Sequence, residues 1–148
     1  MRVMSRVLCA SALVVVLLAG CSAKQPSEPA PDRTPEQVAR SYYELLAAGR
    51  EDDARALTWR PDRFSDVVAD RSLRGLTDLE VDRSREDTAA GRPPEYLELA
   101  TLRMLVVRYK RHRVSSIGEP AGQDMRFVLV GQKVPGGPWL VVETGTGP

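Results

Sequence analysis

Three carboxylates that alternate with apolar residues are best placed, by type and spacing, to do chemistry. Asp78, Glu80 and Asp82 surround Leu79 and Val81, and a period of two puts the three acids on one face of a β-strand. Acids on a common face could act as general acid and base in an isomerase- or dehydratase-type reaction. The same alternation is typical of the solvated face of a half-buried strand, and we expect that structural role for them.

The only histidine, His112, lies in a basic run that spans residues 108–113. Histidine is a common general base, but no carboxylate lies at a spacing typical of a catalytic pair. We therefore expect a solvated position near the end of a strand. One histidine and two cysteines, Cys9 and Cys21, do not make a metal-ligand set. We predict neither a metal nor a cofactor.

The basic run itself is a candidate contact surface, formed by Arg108, Lys110, Arg111 and Arg113. Cations of this density attract anionic lipid head groups or wall polymers. The alternative is that outward-pointing charges protect a sheet edge and keep the sheet soluble. Nucleic acid is not an expected partner of this run.

Aromatic side chains could line a pocket for a small apolar ligand, since such pockets are largely apolar. The candidates are Tyr42, Trp59, Phe64, Tyr109 and Phe127. Aromatic residues make up only 5% of the chain, so a small domain also needs them for its core. Tyr42 and Trp139 are the best core candidates.

Helices are predicted in the first part of the domain. Thr34 and Gln37 form a capping box around Pro35, and apolar residues at helical spacing continue to a stop at Gly49. A short helix is predicted over 51–57, with acidic residues near the positive end of its dipole. A third helix is predicted over 62–69.

Strands follow the helices. One is predicted over 78–82, then a polar loop over 85–94, a long strand over 96–111, a strand over 125–134, a turn over 135–138 and a last strand over 139–144. In the long strand the apolar residues change face, which predicts a bulge or bend near 104–106. Helices followed by an antiparallel sheet indicate the α+β class.

The N-terminal segment Leu18-Ala19-Gly20-Cys21 resembles the lipobox of bacterial lipoproteins. Arg2 and Arg6 precede an uncharged apolar run over 7–19, as in a signal peptide. The resemblance implies diacylglycerol on Cys21, which anchors the chain to the cell membrane on its extracytoplasmic side, and removal of residues 1–20. Residues 21–33 are then a lipidated cysteine and a proline-rich tether, and 34–148 a folded domain.

The mature chain would have nearly balanced charge. Removal of two arginines from the 21 basic residues leaves 19 against 20 acidic ones, which argues against a dedicated polyanion-binding protein. Cys9 would be discarded and Cys21 acylated, so the domain would have no disulfide and would depend on packing for its stability.

The stretches "TPEQVARSYYELLAAGREDDARALT" and "GPWLVVETGTGP" resemble a family of uncharacterised lipoproteins with NTF2-like domains. The resemblance implies a cone in which N-terminal helices pack on a curved antiparallel sheet, with a pocket between them. It implies no chemistry, because this fold hosts both enzymes and binding domains. We expect a non-catalytic domain that binds a ligand or an envelope protein. The alternatives are an isomerase- or dehydratase-type enzyme and a structural accessory, including a homodimer.

Overall fold

The computed structural model describes residues 32–63, 73–114, 118 and 120–145. Within these residues, two N-terminal helices pack on a five-strand antiparallel sheet. The predicted α+β class is confirmed. No helix in the described ranges has the length and apolar character that crossing a membrane requires.

Helix α1 (Pro35–Ala47) begins at the predicted capping box. The Thr34 backbone N–H donates to Gln37 Oε1 at 2.7 Å, and the Gln37 N–H donates to Thr34 Oγ1 at 3.3 Å. The helix is followed by Gly49, whose φ of 70° lies in the left-handed region that favours glycine. Helix α2 (Glu51–Ala56) follows within the range predicted for it. Of the predicted third helix, the first residues form a 3-10 turn, Pro61–Arg63; 64–69 lie outside the described residues.

The sheet consists of β1 (Thr77–Val81), β2 (Arg85–Asp87), β3 (Thr101–Arg111), β4 (Gly122–Gln132) and β5 (Leu140–Gly145). The order is β1-β3-β4-β5, and β2 pairs with β3 beside β1. The predicted loop over 85–94 is therefore wrong for 85–87. The predicted start of the long strand is also wrong, because Pro94–Glu98 is a 3-10 helix and the strand begins at Thr101.

The predicted bulge in the long strand is absent from its pairing with β4, which runs without a break from Thr101 opposite Gln132 to Arg111 opposite Gly122. The apolar residues change face because two core clusters lie on opposite sides of the sheet. Leu102 joins a cluster with Trp59 and Tyr96 on one side. The next buried positions of the strand pack toward the helices on the other side.

The main core lies between α1 and the sheet. Tyr42 and Tyr43 pack edge to face at 5.5 Å, and Tyr43 lies 5.4 Å from the ring of Tyr109. All three tyrosines are at most 2% exposed. The expectation that Tyr42 belongs to the core is confirmed. Trp139 is only partly buried and packs against this cluster.

Candidate functional site

A charged cluster lies on the helix-facing side of the sheet, where β3 and β4 pair. The Tyr109 hydroxyl donates to Asp124 Oδ2 at 3.0 Å. Arg126 Nη2 and Arg111 Nη2 lie 3.2 and 3.5 Å from the same oxygen. Arg111 Nη2 also donates to the Pro120 carbonyl at 3.3 Å. Burial is the largest cause that raises the pKa of Tyr109, to about 12.

This cluster is built to hold structure. The ion-paired side chains of Asp124 and Arg126 are 15% and 16% exposed, and that of Arg111 is 4% exposed. Removing one partner from such a group leaves an uncompensated charge in a low dielectric. Because Asp124 Oδ2 is surrounded by three donor groups, this carboxylate is poorly suited to take a proton from a substrate. We assign the cluster to fastening β3 and β4 beneath α1.

A cleft of about 320 Å³ lies at the edge of the sheet, between the end of β1 and the start of β2. Its apolar lining includes Met104, Val106 and Phe127, and charged residues surround it. Val106 and Phe127 are directly opposite each other in the β3–β4 pairing, so they share the sheet face that points away from α1. The charged rim consists of Asp82, Arg83, Arg85, Glu86 and Arg108.

Asp82 is the one candidate acid that reaches this cleft, and it is engaged. Arg108 Nη1 donates to Asp82 Oδ1 at 2.7 Å. The ion pair and hydrogen bond from Asp82 are also the largest causes that raise the pKa of Arg108. Asp78 and Glu80 are exposed, and Asp78 has a φ of 55° where the pairing of β1 becomes irregular. The three acids therefore do not converge on a common pocket.

A second cleft, of about 360 Å³, lies between β2 and the start of β3. Near it Arg92 Nη2 donates to Asp87 Oδ2 at 2.5 Å, and the Tyr96 hydroxyl donates to Glu143 Oε2 at 2.9 Å. Burial is the largest cause that raises the pKa of Tyr96, to about 12, and the hydrogen bond to Glu143 adds to it. The raised pKa of Tyr96 disfavours the phenolate that a nucleophilic role would need.

The predicted ligand residues are placed in three different environments. Tyr42 and Tyr109 belong to the core between α1 and the sheet. Trp59 lies in the second cluster, 5.7 Å from the ring of Tyr96, with the Arg60 guanidinium 4.6 Å above it. Phe127 lines the 320 Å³ cleft. Phe64 and the lipidation site Cys21 lie outside the described residues.

The basic run divides between the two faces of the sheet. Arg108 and Lys110 are exposed on the face away from α1, whereas Arg111 turns toward the core. Arg113 is exposed beyond the strand end. His112 is also exposed, as the sequence predicts, and its Nε2 lies 2.9 Å from Thr77 Oγ1.

The sequence pattern gives no sign that Phe127 shares a cleft with Arg83, Arg85, Met104 and Val106. Arg85 lies in the segment for which the sequence predicts a loop, yet it is opposite Met104 in the pairing of β2 with β3. A three-residue strand has too few alternations to be recognised from its pattern. The described residues include no group of three His, Cys, Asp or Glu side chains that could hold a metal ion.

No family model, no curated protein and no solved structure matches this chain.

Proposed function

We propose that the chain is a membrane-anchored extracytoplasmic lipoprotein whose NTF2-like domain binds a ligand or an envelope protein without catalysing a reaction. The proposal has three parts: the anchor, the fold and the binding role.

The anchor is supported by the sequence. The lipobox-like segment that ends at Cys21 follows an uncharged apolar run, and a proline-rich stretch over 22–33 separates it from the first helix. Two or more acyl chains would hold the protein firmly, whereas a single chain gives only marginal binding.

The NTF2-like assignment is supported by the order and layering of the elements. Helices come first, and α1 contacts β1, β3, β4 and β5, so one helix layer covers one face of an antiparallel sheet. In an NTF2-like cone this arrangement would enclose a pocket on the helix side. The described core between α1 and the sheet is closely filled, and Tyr43, Leu105, Val107, Val128 and Val130 are at most 2% exposed. We therefore place the binding role at the cleft on the opposite face.

The observation that carries a binding role is the composition of the cleft that contains Phe127. Apolar side chains line it together with three arginines and two acids, which suits recognition of an amphipathic partner. Its candidate acid, Asp82, is held by Arg108 at 2.7 Å. The three acids of the predicted acid–base set do not converge on one pocket, which supports the binding interpretation over the isomerase- or dehydratase-type alternative.

The anchor is tested by a Cys21→Ser variant of the full chain expressed in a bacterial host. We expect the wild-type chain in the membrane fraction with the mass of a lipidated mature protein. The variant should leave that fraction or keep residues 1–20. An unlipidated wild-type chain of the same length as the variant would contradict the proposal.

The binding role is tested by thermal-shift screening of the mature chain with envelope lipids and metabolites. A ligand that stabilises the wild type should lose its effect in Arg85→Gln, which alters the cleft, and keep it in Arg113→Gln, which removes an exposed cation beyond the strand end. A ligand effect that both variants retain would place the site elsewhere.

A further inference from the structure

We infer that the sheet face away from α1 docks on an anionic lipid bilayer; this inference rests on the proposed lipid anchor. The outer face, as we call it, comprises Met104, Val106, Phe127 and Met125 with the cations around them.

The apolar part of the outer face forms a stripe across β3 and β4. Val106 lies opposite Phe127, and Arg108 lies opposite Met125. Met125 is 43% exposed, and Met104, Val106 and Phe127 are partly exposed. An apolar stripe bordered by cations is the pattern by which proteins lie on a membrane surface, with apolar groups at the acyl boundary and cations at the head groups.

The four cations of the outer face exceed its three acids by one; the acids are Asp82 and Glu86 at the cleft and Glu80, which lies opposite Arg108 in the β1–β3 pairing. Arg85 faces Met104, and Lys110 is exposed two residues beyond Arg108. Arg83 lines the same cleft. None of these three forms an ion pair with another residue that the structure describes, whereas Arg108 is paired with Asp82. The surplus positive charge is complementary to phosphatidylglycerol or another anionic head group.

The tether enters the fold beside this surface. Glu36, the second residue of α1, accepts the Ser84 backbone N–H through Oε1 at 2.7 Å. Ser84 is flanked by Arg83 and Arg85, two of the three cationic residues of the cleft. The start of α1, where the tether joins, therefore lies next to the cationic rim.

Because the tether is short, even a weak affinity of the outer face for the bilayer is sufficient for docking. Twelve residues over 22–33 reach at most roughly 40 Å when extended. The anchor keeps the bilayer within this distance of the domain, which gives the outer face a high effective concentration of lipid. Docking therefore costs the domain little further translational freedom. Each cation near an anionic surface strengthens binding by about fivefold, and the exposed apolar stripe contributes to the docked state as well.

The experiment uses the lipidated mature chain in vesicles, with a polarity-sensitive fluorophore attached at one introduced cysteine. Met125→Cys places the probe on the outer face, and Ala48→Cys places it at an exposed position at the end of α1. Vesicles are made of phosphatidylcholine alone or of equal parts phosphatidylcholine and phosphatidylglycerol. Flotation of the vesicles reports the anchor, and the probe reports docking.

We expect the chain to float with both kinds of vesicle. The Met125→Cys probe should shift to the blue only on anionic vesicles, and the Ala48→Cys probe should not shift. Adding Arg85→Glu and Lys110→Glu should reduce the docked fraction by about tenfold or more, and salt should have a similar effect.

Other outcomes overturn the inference in distinguishable ways. Flotation without any shift of the Met125→Cys probe refutes docking and leaves the anchor intact. Failure to float refutes the anchor and the docking with it. A blue shift of the Met125→Cys probe in detergent, increasing with protein concentration, shows that a second copy of the chain covers the outer face instead of a bilayer.

Discussion

The charged cluster of β3 and β4 leads to a quantitative prediction about Asp124→Asn. The carboxylate lies 3.2 Å from Arg126 Nη2 and 3.5 Å from Arg111 Nη2. Each contact corresponds to a gross Coulomb attraction of about 5 kcal/mol at an effective dielectric constant of about 20. The desolvation of the charges offsets much of that attraction, and breaking a buried pair typically costs ~3–5 kcal/mol. Because Asp124 and Arg126 keep 15–16% exposure, we expect a loss near ~3 kcal/mol.

The assay is urea unfolding of the mature chain, with Asp82→Asn as the matched control. The Asp82–Arg108 pair is shorter, at 2.7 Å, but its side chains are 43% and 44% exposed. Solvent screens such a pair, so we expect no resolvable change in the free energy of unfolding. A double-mutant cycle should also show that Arg126→Gln costs less when Asp124 is already asparagine.

Two results would refute the reasoning. A loss below ~1 kcal/mol for Asp124→Asn would mean that water screens the cluster like a surface pair. Equal losses for Asp124→Asn and Asp82→Asn would mean that distance, not burial, sets the strength of these ion pairs.

Three further predictions concern Glu36, Gly131 and Tyr96. Partial burial raises the pKa of Glu36, but its hydrogen bonds with Ser84 outweigh this and lower the pKa from 4.5 to about 2. The stability that the ionised Glu36 contributes is therefore present above pH 4.5 and is lost as pH falls toward 2. After discounting for solvent screening, Glu36→Gln should lower the free energy of unfolding by about 1 kcal/mol near neutral pH. At about pH 2 the same substitution should change it by nearly nothing, and urea titrations at the two pH values measure both. Gly131→Val should cost ~2 kcal/mol in the same titration, because a Cβ there meets three apolar side chains at 3.0–3.2 Å; an unchanged midpoint would show that the core yields. Tyr96→Phe removes the hydrogen bond to Glu143 and should lower stability by ~1 kcal/mol in thermal unfolding; a stabilised variant would contradict that role.

Local signals in the sequence were sufficient to predict where α1 begins and ends. The capping box of Thr34 and Gln37 is a contact between neighbours in the chain, and the glycine stop at Gly49 depends on a single backbone angle. Both were therefore predictable without knowledge of the tertiary fold.

Features that depend on pairing between distant segments were not predictable. Tyr96 has the pattern of a strand residue, but it lies in the 3-10 helix Pro94–Glu98, where its ring packs against Trp59. Leu102 belongs to the same cluster, on the face away from α1. The sequence pattern shows only that the apolar residues change face, which predicts a bulge.

The candidate site shows the same limit. Arg85 meets Met104 only through the register of β2 on β3, and Tyr109 meets Asp124 only through that of β3 on β4. The sequence indicated Phe127 and Arg108 separately, as a ligand residue and a surface cation. Their common cleft emerges only when the strands are paired.

A mass spectrum of the wild-type chain, extracted gently from bacterial membranes, tests the central claim most directly. Conditions that preserve non-covalent complexes would report the anchor and the ligand together. We predict a chain that begins at Cys21, carries covalent diacylglycerol and retains a non-covalent adduct whose mass identifies the partner. An unlipidated chain without any adduct would contradict the account of a membrane-anchored binding domain.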